Sequence, residues 1–249
     1  MIGEPMNETL RQLYERKSVR AYTDRAITAE EKNAIIAAAL QAPTAGNQIL
    51  YTIIDVQEPA LKASLAESCD HQPFIAEAPL VLVFLADCRR WLDAYDFAGA
   101  DPRKPGPGDL LLSCADALIA AQNTVVAAGS LGIGSCYIGD IMENRETVVE
   151  LLGLDEYVYP AAMVVYGFPT EQQRNRPKPR RFDAKYIVQT DRYRRLSETE
   201  QRSMFEEVRE DSDFDFDRFI AAFCARKYSS DFAREMNRSA AEYLKAFRS

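Results

Sequence analysis

A chain of 249 residues, 47% of them apolar, is long enough to bury a full core and fits one large domain or one domain with a tail. Thirty basic and 38 acidic side chains give a net charge of −8, a sign that repels a phosphate backbone, so no nucleic-acid partner is expected and an anionic cofactor would need a local basic pocket. The cysteines Cys69, Cys88, Cys114, Cys136 and Cys224 form no C-x-x-C pair, and there is a single histidine, His71; this argues against zinc and predicts free thiols in a reducing cytoplasm.

In chain order, residues 1–7 lack the basic and apolar regions of an export signal. Residues 7–16 have helical spacing, with Leu10, Leu13 and Tyr14 on one face. Thr28 and Glu31 form a capping box that starts a helix ending near Gln41, before Pro43. The β-branched run 50–56 predicts a strand, and 59–68 a helix with proline in its first turn. The unbroken apolar run 80–86 predicts a strand covered on both faces. Residues 101–108, with three prolines and two glycines, form a loop. Residues 109–128 predict a long helix, apolar around most of its circumference and therefore expected in the core. Asp116, Gln122 and Asn123 interrupt it, so it is not expected to span a membrane. A helix over 143–152 and a buried strand over 161–166 follow, and then an irregular Pro/Arg/Lys stretch over 175–181. Residues 197–248 predict charged helices with an acidic patch from Glu206 to Asp217. Helices and strands so mixed define an α+β fold.

Four segments carry chemistry. Arg16-Lys17-Ser18-Val19-Arg20 places three cations and a hydroxyl within five residues, a pattern that binds phosphate through charge-assisted hydrogen bonds. Taken alone it reads first as a basic helix C-terminus complementing the helix dipole. Arg176-Pro177-Lys178-Pro179-Arg180-Arg181 fixes its cations on an extended backbone, though a solvated basic loop has the same composition. Thr44, Asn47 and Gln48 offer hydroxyl and amide groups suited to a polar ring edge, while Pro43 and Gly46 also explain a plain turn. The run Gly129 to Gly139 is not a dinucleotide fingerprint: it follows a helix, and Gly132-x-Gly134 lacks the third glycine. Its glycines are expected to let backbone approach a flat ligand. His71 reads as a polar loop residue and Cys136 as a small buried filler, so no catalytic acid–base residue is assigned.

The ordered set over residues 10–196 resembles the nitroreductase superfamily, in its branch of oxygen-insensitive NADPH nitroreductases and flavin reductase P. It comprises Arg16-x-Ser18-x-Arg20-x-Tyr22, Ala42-Pro43-Thr44, Gln72 ahead of the run 78–87, Asp116 to Asn123, the run 130–134 through Tyr137-Ile138-Gly139, and Lys178-Pro179-Arg180. The resemblance implies a mixed β-sheet flanked by helices, with a long central helix at a homodimer interface. It implies an FMN-binding domain over 7–196 and a helical extension over 197–249 that packs on the body or on the partner subunit.

It further implies that Arg16, Lys17, Ser18, Lys178 and Arg180 hold the FMN phosphate and that Arg20 lies near the N1 edge of the ring. Thr44, Asn47 and Gln72 would bond the ribityl chain or ring edge, and Tyr137, Ile138 and Gly139 would present backbone to the ring. The implied activity is ping-pong hydride transfer from NADH or NADPH through FMN to a nitroaromatic, quinone or flavin. Specialised flavin chemistry on the same scaffold, such as dehalogenation or flavin fragmentation, and a non-catalytic FMN-binding protein are the alternatives. Two departures stand out. Ile49 occupies a position where many relatives carry glutamine. The run Arg209 to Asp215 is acidic where NADPH-preferring relatives are arginine-rich, which predicts no strong preference for NADPH.

Overall fold

The computed structural model describes residues 7–209 and 213–248. Its centre is a four-stranded sheet of β1 (Tyr51–Asp55), β2 (Leu80–Asp87), β3 (Gly134–Ile138) and β4 (Val158–Gly167), in the order β1-β2-β4-β3, each pair antiparallel. The period of two in β2 divides the core. Leu80, Leu82, Phe84 and Ala86 enter one apolar layer, and Val81, Val83 and Leu85 enter the other. Burying each such side chain stabilises by roughly 1.5–3 kcal/mol.

The helices of the body cover both faces. They are α1 (Glu8–Glu15), α2 (Ala29–Ala39), α3 (Pro59–Ser68), α4 (Pro73–Ala76), α5 (Arg89–Phe97), α6 (Pro107–Ser130), α7 (Arg145–Leu152) and α8 (Glu171–Asn175). The capping box forms as its sequence dictates: the Glu31 amide donates to Thr28 Oγ1 and the Thr28 amide to Glu31 Oε2. α5 starts where the Asp87 carboxylate accepts from the amides of Arg89 and Arg90.

Long helix α6 departs from the expectation of full burial. Ala117, Ala120, Ala121, Val125 and Ala128 pack into the core, but Leu111 is 71% exposed and Leu112, Leu118 and Ile119 are exposed as well. α1 likewise leaves Leu10, Leu13 and Tyr14 exposed. α6 therefore presents an apolar face, Leu111, Leu112, Leu118 and Ile119, that stays exposed in the single chain. α6 is long and apolar enough to cross a membrane, yet its buried face packs on α2 and the sheet, as a core helix does.

A second correction concerns the glycine run. Residues 134–138 form edge strand β3, and a Cβ on Gly134 would lie 2.5 Å from Val19 Cγ2. At Gly134 the space a Cβ would need is taken by Val19 of this same chain. The chain after α1 runs along the sheet edge, with isolated bridges from Ser18 to Ser135 (parallel) and from Tyr22 to Pro169 (antiparallel); the four named strands themselves form a small antiparallel sheet. The amide of Val19 donates to Ser135 O and that of Thr23 to Phe168 O, which blunts the open edge of β3. Gly167 makes the same accommodation, since a Cβ there would sit 2.4 Å from Tyr22 Cδ1 and 2.9 Å from Pro79 Cδ. Gly167→Ala should therefore lower stability by about 1–3 kcal/mol. Urea unfolding checks this; a midpoint equal to wild type refutes the tight contact.

Two compact units divide the chain: one runs to Arg176 and resumes at Glu235, and the other spans Pro177–Arg234. In the second lie α9 (Ala184–Ile187), α10 (Glu198–Arg209) and α11 (Phe216–Phe223), with the first residues of α12 (Asp231–Leu244). Its centre is aromatic, with Phe205 stacked edge-on against Phe182 and Phe216. Within the acidic run, Asp215 caps α11 and Asp217 pairs with Arg202, while Glu210, Asp211 and Ser212 lie outside the described residues. From Glu235 onward, α12 belongs to the first unit. There Ser239 donates to Met142 O and accepts from the Arg145 amide, and Tyr243 and Phe247 meet Tyr159 and Tyr157 edge-on.

Candidate cofactor-binding site

The basic stretch after α1 stands beside the start of β3, where Arg16, Lys17, Val19, Gly134 and Ser135 line a cavity of about 270 Å³. Lys17 is already engaged: its ammonium donates to the carbonyls of Arg174 and Arg176, tying this stretch to the end of α8. Arg176 returns the contact, Nη2 donating to Ser18 O at 2.5 Å. Two donors in this network are buried and have no partner among the described residues, Arg16 Nη1 and Arg176 Nε. Leaving a buried donor unpaired costs about 1–3 kcal/mol, more when it is charged. Arg16 lines the cavity and Arg176 belongs to the segment hydrogen-bonded to Ser18, and an unpaired guanidinium N–H of either kind suits an anion such as a phosphate monoester. Arg176 was not among the predicted contacts; its signal was membership of the Pro/Arg/Lys stretch. Lys178 and Arg180 lie on the irregular segment that opens the second unit.

Arg20 extends past the bridge at Ser18. Its amide donates to Gln173 Oε1, and its guanidinium stands over the Phe74 ring at 5.7 Å from the centroid. Phe74 is in α4, directly after Gln72, whose Nε2 donates to Cys69 O. Arg20 and the 72–74 segment are thus neighbours. His71 is exposed and paired with Glu67, which raises its pKa; nothing around it forms a catalytic dyad among the described residues.

The third element is the loop 44–50. Thr44 Oγ1 accepts from the Ile49 amide at 3.2 Å, and Gly46, Asn47 and Ile49 all have φ near +55°. Below it, the Asp116 carboxylate, 3% exposed on the buried face of α6, accepts from the amides of Ala45 and Leu50. The side chain of Asn47 faces solvent. Trp91 Nε1 donates to Gln48 O at 2.8 Å. In sequence Asp116 interrupts an apolar helix and opens one segment of the family resemblance, but neither feature assigns it a role; a lone acid on the buried face is the available signal.

The fourth element is the end of β3. Tyr137 is half-buried, its hydroxyl donates to Gln122 Oε1 at 3.4 Å, and burial pushes its pKa to about 12, so the phenol stays neutral. Ile138 is buried against Met163 of β4, and Gly139 opens a single tight turn through Met142. A Cβ at Gly139 would meet nothing closer than Met142 Cε at 3.8 Å, so its own chain does not demand glycine there. Cys136 is buried in β3, and all five cysteines are unpaired.

Comparison with known proteins identifies the family and the fold. The Nitroreductase family profile matches residues 13–168. The chain is 34% identical over 177 residues to the FMN reductase (NAD(P)H) of Bacillus subtilis, covering 70% of each chain. It is 33% identical over 193 residues to the oxygen-insensitive NADPH nitroreductase of Salmonella typhimurium, covering 78% of each. Among solved structures it superposes on NfrA2 of B. megaterium with a TM-score of 0.80 at 28% identity, over 96% of this chain and 98% of that one. The fold and the relatives define an α+β protein of the flavin-reductase and nitroreductase class. The chain belongs to the Nitroreductase family.

Proposed function

We propose that this protein is an FMN-dependent NAD(P)H oxidoreductase that reduces nitroaromatics, quinones or flavins and works as a homodimer. The observation that carries the reading is the pair of buried, unpartnered guanidinium nitrogens of Arg16 and Arg176, an anion cradle in a protein whose relatives are named as FMN reductases. FMN, when bound, supplies the two-electron chemistry between nicotinamide and acceptor. The chain supplies the rest. Arg16, Ser18 and Arg176 hold the phosphate, while Lys17 braces the carbonyls that shape the cradle. Arg20 places a positive charge near the ring, which favours the reduced, anionic cofactor. Thr44, Asn47 and Gln72 orient the ribityl chain and ring edge, and the backbone at Tyr137, Ile138 and Gly139 faces the ring. No acid–base side chain is required. The exposed apolar face of α6, Leu111, Leu112, Leu118 and Ile119, supports the homodimer, since a second copy of this chain would bury it.

Purified protein should be yellow, and anaerobic NADH should bleach its flavin band near about 450 nm. Colourless protein that cannot be reconstituted with FMN sinks the proposal. Colour that persists with both nicotinamides identifies an FMN-binding protein without turnover. The acidic side chains around Asp213 and Asp215 support use of NADH without a strong NADPH preference. A large NADPH advantage in kcat/KM overturns that part.

A further inference from the structure

We propose that Asp116 is a positioning residue for the cofactor: a buried carboxylate that presets the 44–50 loop in its binding shape before FMN arrives. The proposal rests on the reading of that loop as a ring contact and adds the device that holds it.

Three observations converge. The loop is strained, because Gly46, Asn47 and Ile49 all have left-handed backbone, and Ile49 is β-branched, a residue type that rarely adopts it. Such a loop does not hold its shape without restraint. The restraint comes from beneath: the two oxygens of Asp116 accept from Ala45 at 2.9 Å and Leu50 at 3.2 Å, the two ends of the strained stretch. Finally, the carboxylate is costly where it is. It stands on the buried face of α6 beside Ala117 and Ala120, where an apolar residue would serve packing better. A charge kept at such a position, with both oxygens spent on one loop, serves the shape of that loop. The exposed Asn47 is then offered outward from a fixed backbone, and FMN binding does not bear the cost of ordering it.

The protein carries its own reporter. Trp91 is the single tryptophan of the chain, and its indole N–H donates to Gln48 O within the loop. In wild-type apoprotein the indole N–H resonance should therefore be sharp, and FMN should move it little. Asp116→Asn keeps one acceptor and turns an amide N–H₂ toward the other donor. It should broaden or shift the indole signal in the apoprotein, and FMN should restore it. FMN affinity should fall about tenfold, as for loss of one charge-assisted hydrogen bond. The midpoint potential and absorption maxima of the bound flavin should move as well.

A variant with a lower Tm but wild-type indole signal, FMN affinity and flavin potential would show that Asp116 serves stability only, and the proposal fails. If Asp116→Asn does not fold, Ala45→Pro takes its place. It removes one N–H donor at the first position of a helical turn, where proline is tolerated, and should give the same indole and FMN effects. Wild-type protein that binds no FMN would defeat the functional reading alone, because the indole signal of the apo variant still reports whether Asp116 holds the loop.

Discussion

Replacing Arg16 with alanine should weaken FMN binding by about ten- to a hundredfold while leaving riboflavin affinity unchanged. The Arg16 guanidinium is partly buried beside β3, and its Nη1 has no hydrogen-bond partner among the described residues. A charged donor held in that state is satisfied best by an anion that reaches it, and each such charged hydrogen bond contributes roughly 1.5–3 kcal/mol. Riboflavin has the ring and ribityl chain of FMN but no phosphate. The ratio of the two affinities therefore isolates the phosphate contact from any general loosening of the fold. Titration of apoprotein with each flavin, followed by fluorescence quenching, supplies both constants. Equal losses for FMN and riboflavin would show that Arg16 supports the fold and does not meet the phosphate. The Arg16→Ala/Arg176→Ala pair should lose less than the sum of the single losses, because both cations would act on one dianion.

Where sequence and structure agree, a local pattern was strong. The continuous apolar run of β2 could only be a doubly covered strand, and Thr28 with Glu31 fixed the start of α2 to the residue. The ordered basic, threonine and glycine motifs pointed to the family before any contact was visible. What stayed hidden was relational. β3 was missed because its glycines resemble a turn in isolation; only the presence of Val19 at 2.5 Å from a Gly134 Cβ explains why a strand there carries glycine. α6 was expected to be fully buried because an apolar circumference does not say whether its partner is the same chain or another. Asp116 and Arg176 were not assigned because each acts through groups more than 60 residues away in sequence. No periodicity encodes those pairings.

Glu143 leads to the second large effect. It follows the turn after Gly139 and is 5% exposed, and one carboxylate oxygen has no hydrogen-bond partner. Burial first, and then the negative charges of Asp140, Asp70 and Glu235, push its pKa from 4.5 to about 7. Below pH 4.5 both folded and unfolded chains hold the proton. Between 4.5 and 7 the unfolded chain releases it while the folded chain keeps it, so stability falls across that window and levels off above it. At about 1.4 kcal/mol per pH unit the loss approaches ~3 kcal/mol. Glu143→Gln, which cannot ionise, should match wild type near pH 4.5 and exceed it by up to about that amount at pH 8. The gain should be felt at the docking of α12, because the amides of Asn144 and Arg145, the next two residues, donate to Glu235 Oε1 and Ser239 Oγ. Other titrating groups, including the exposed Glu146–Arg238 pair, are common to both proteins and cancel in the difference. Urea unfolding of the two proteins at pH 5 and pH 8 decides the matter. Parallel pH profiles would mean that the Glu143 carboxylate is ionised and satisfied in the folded state, and that its burial does not set the acid side of the stability curve.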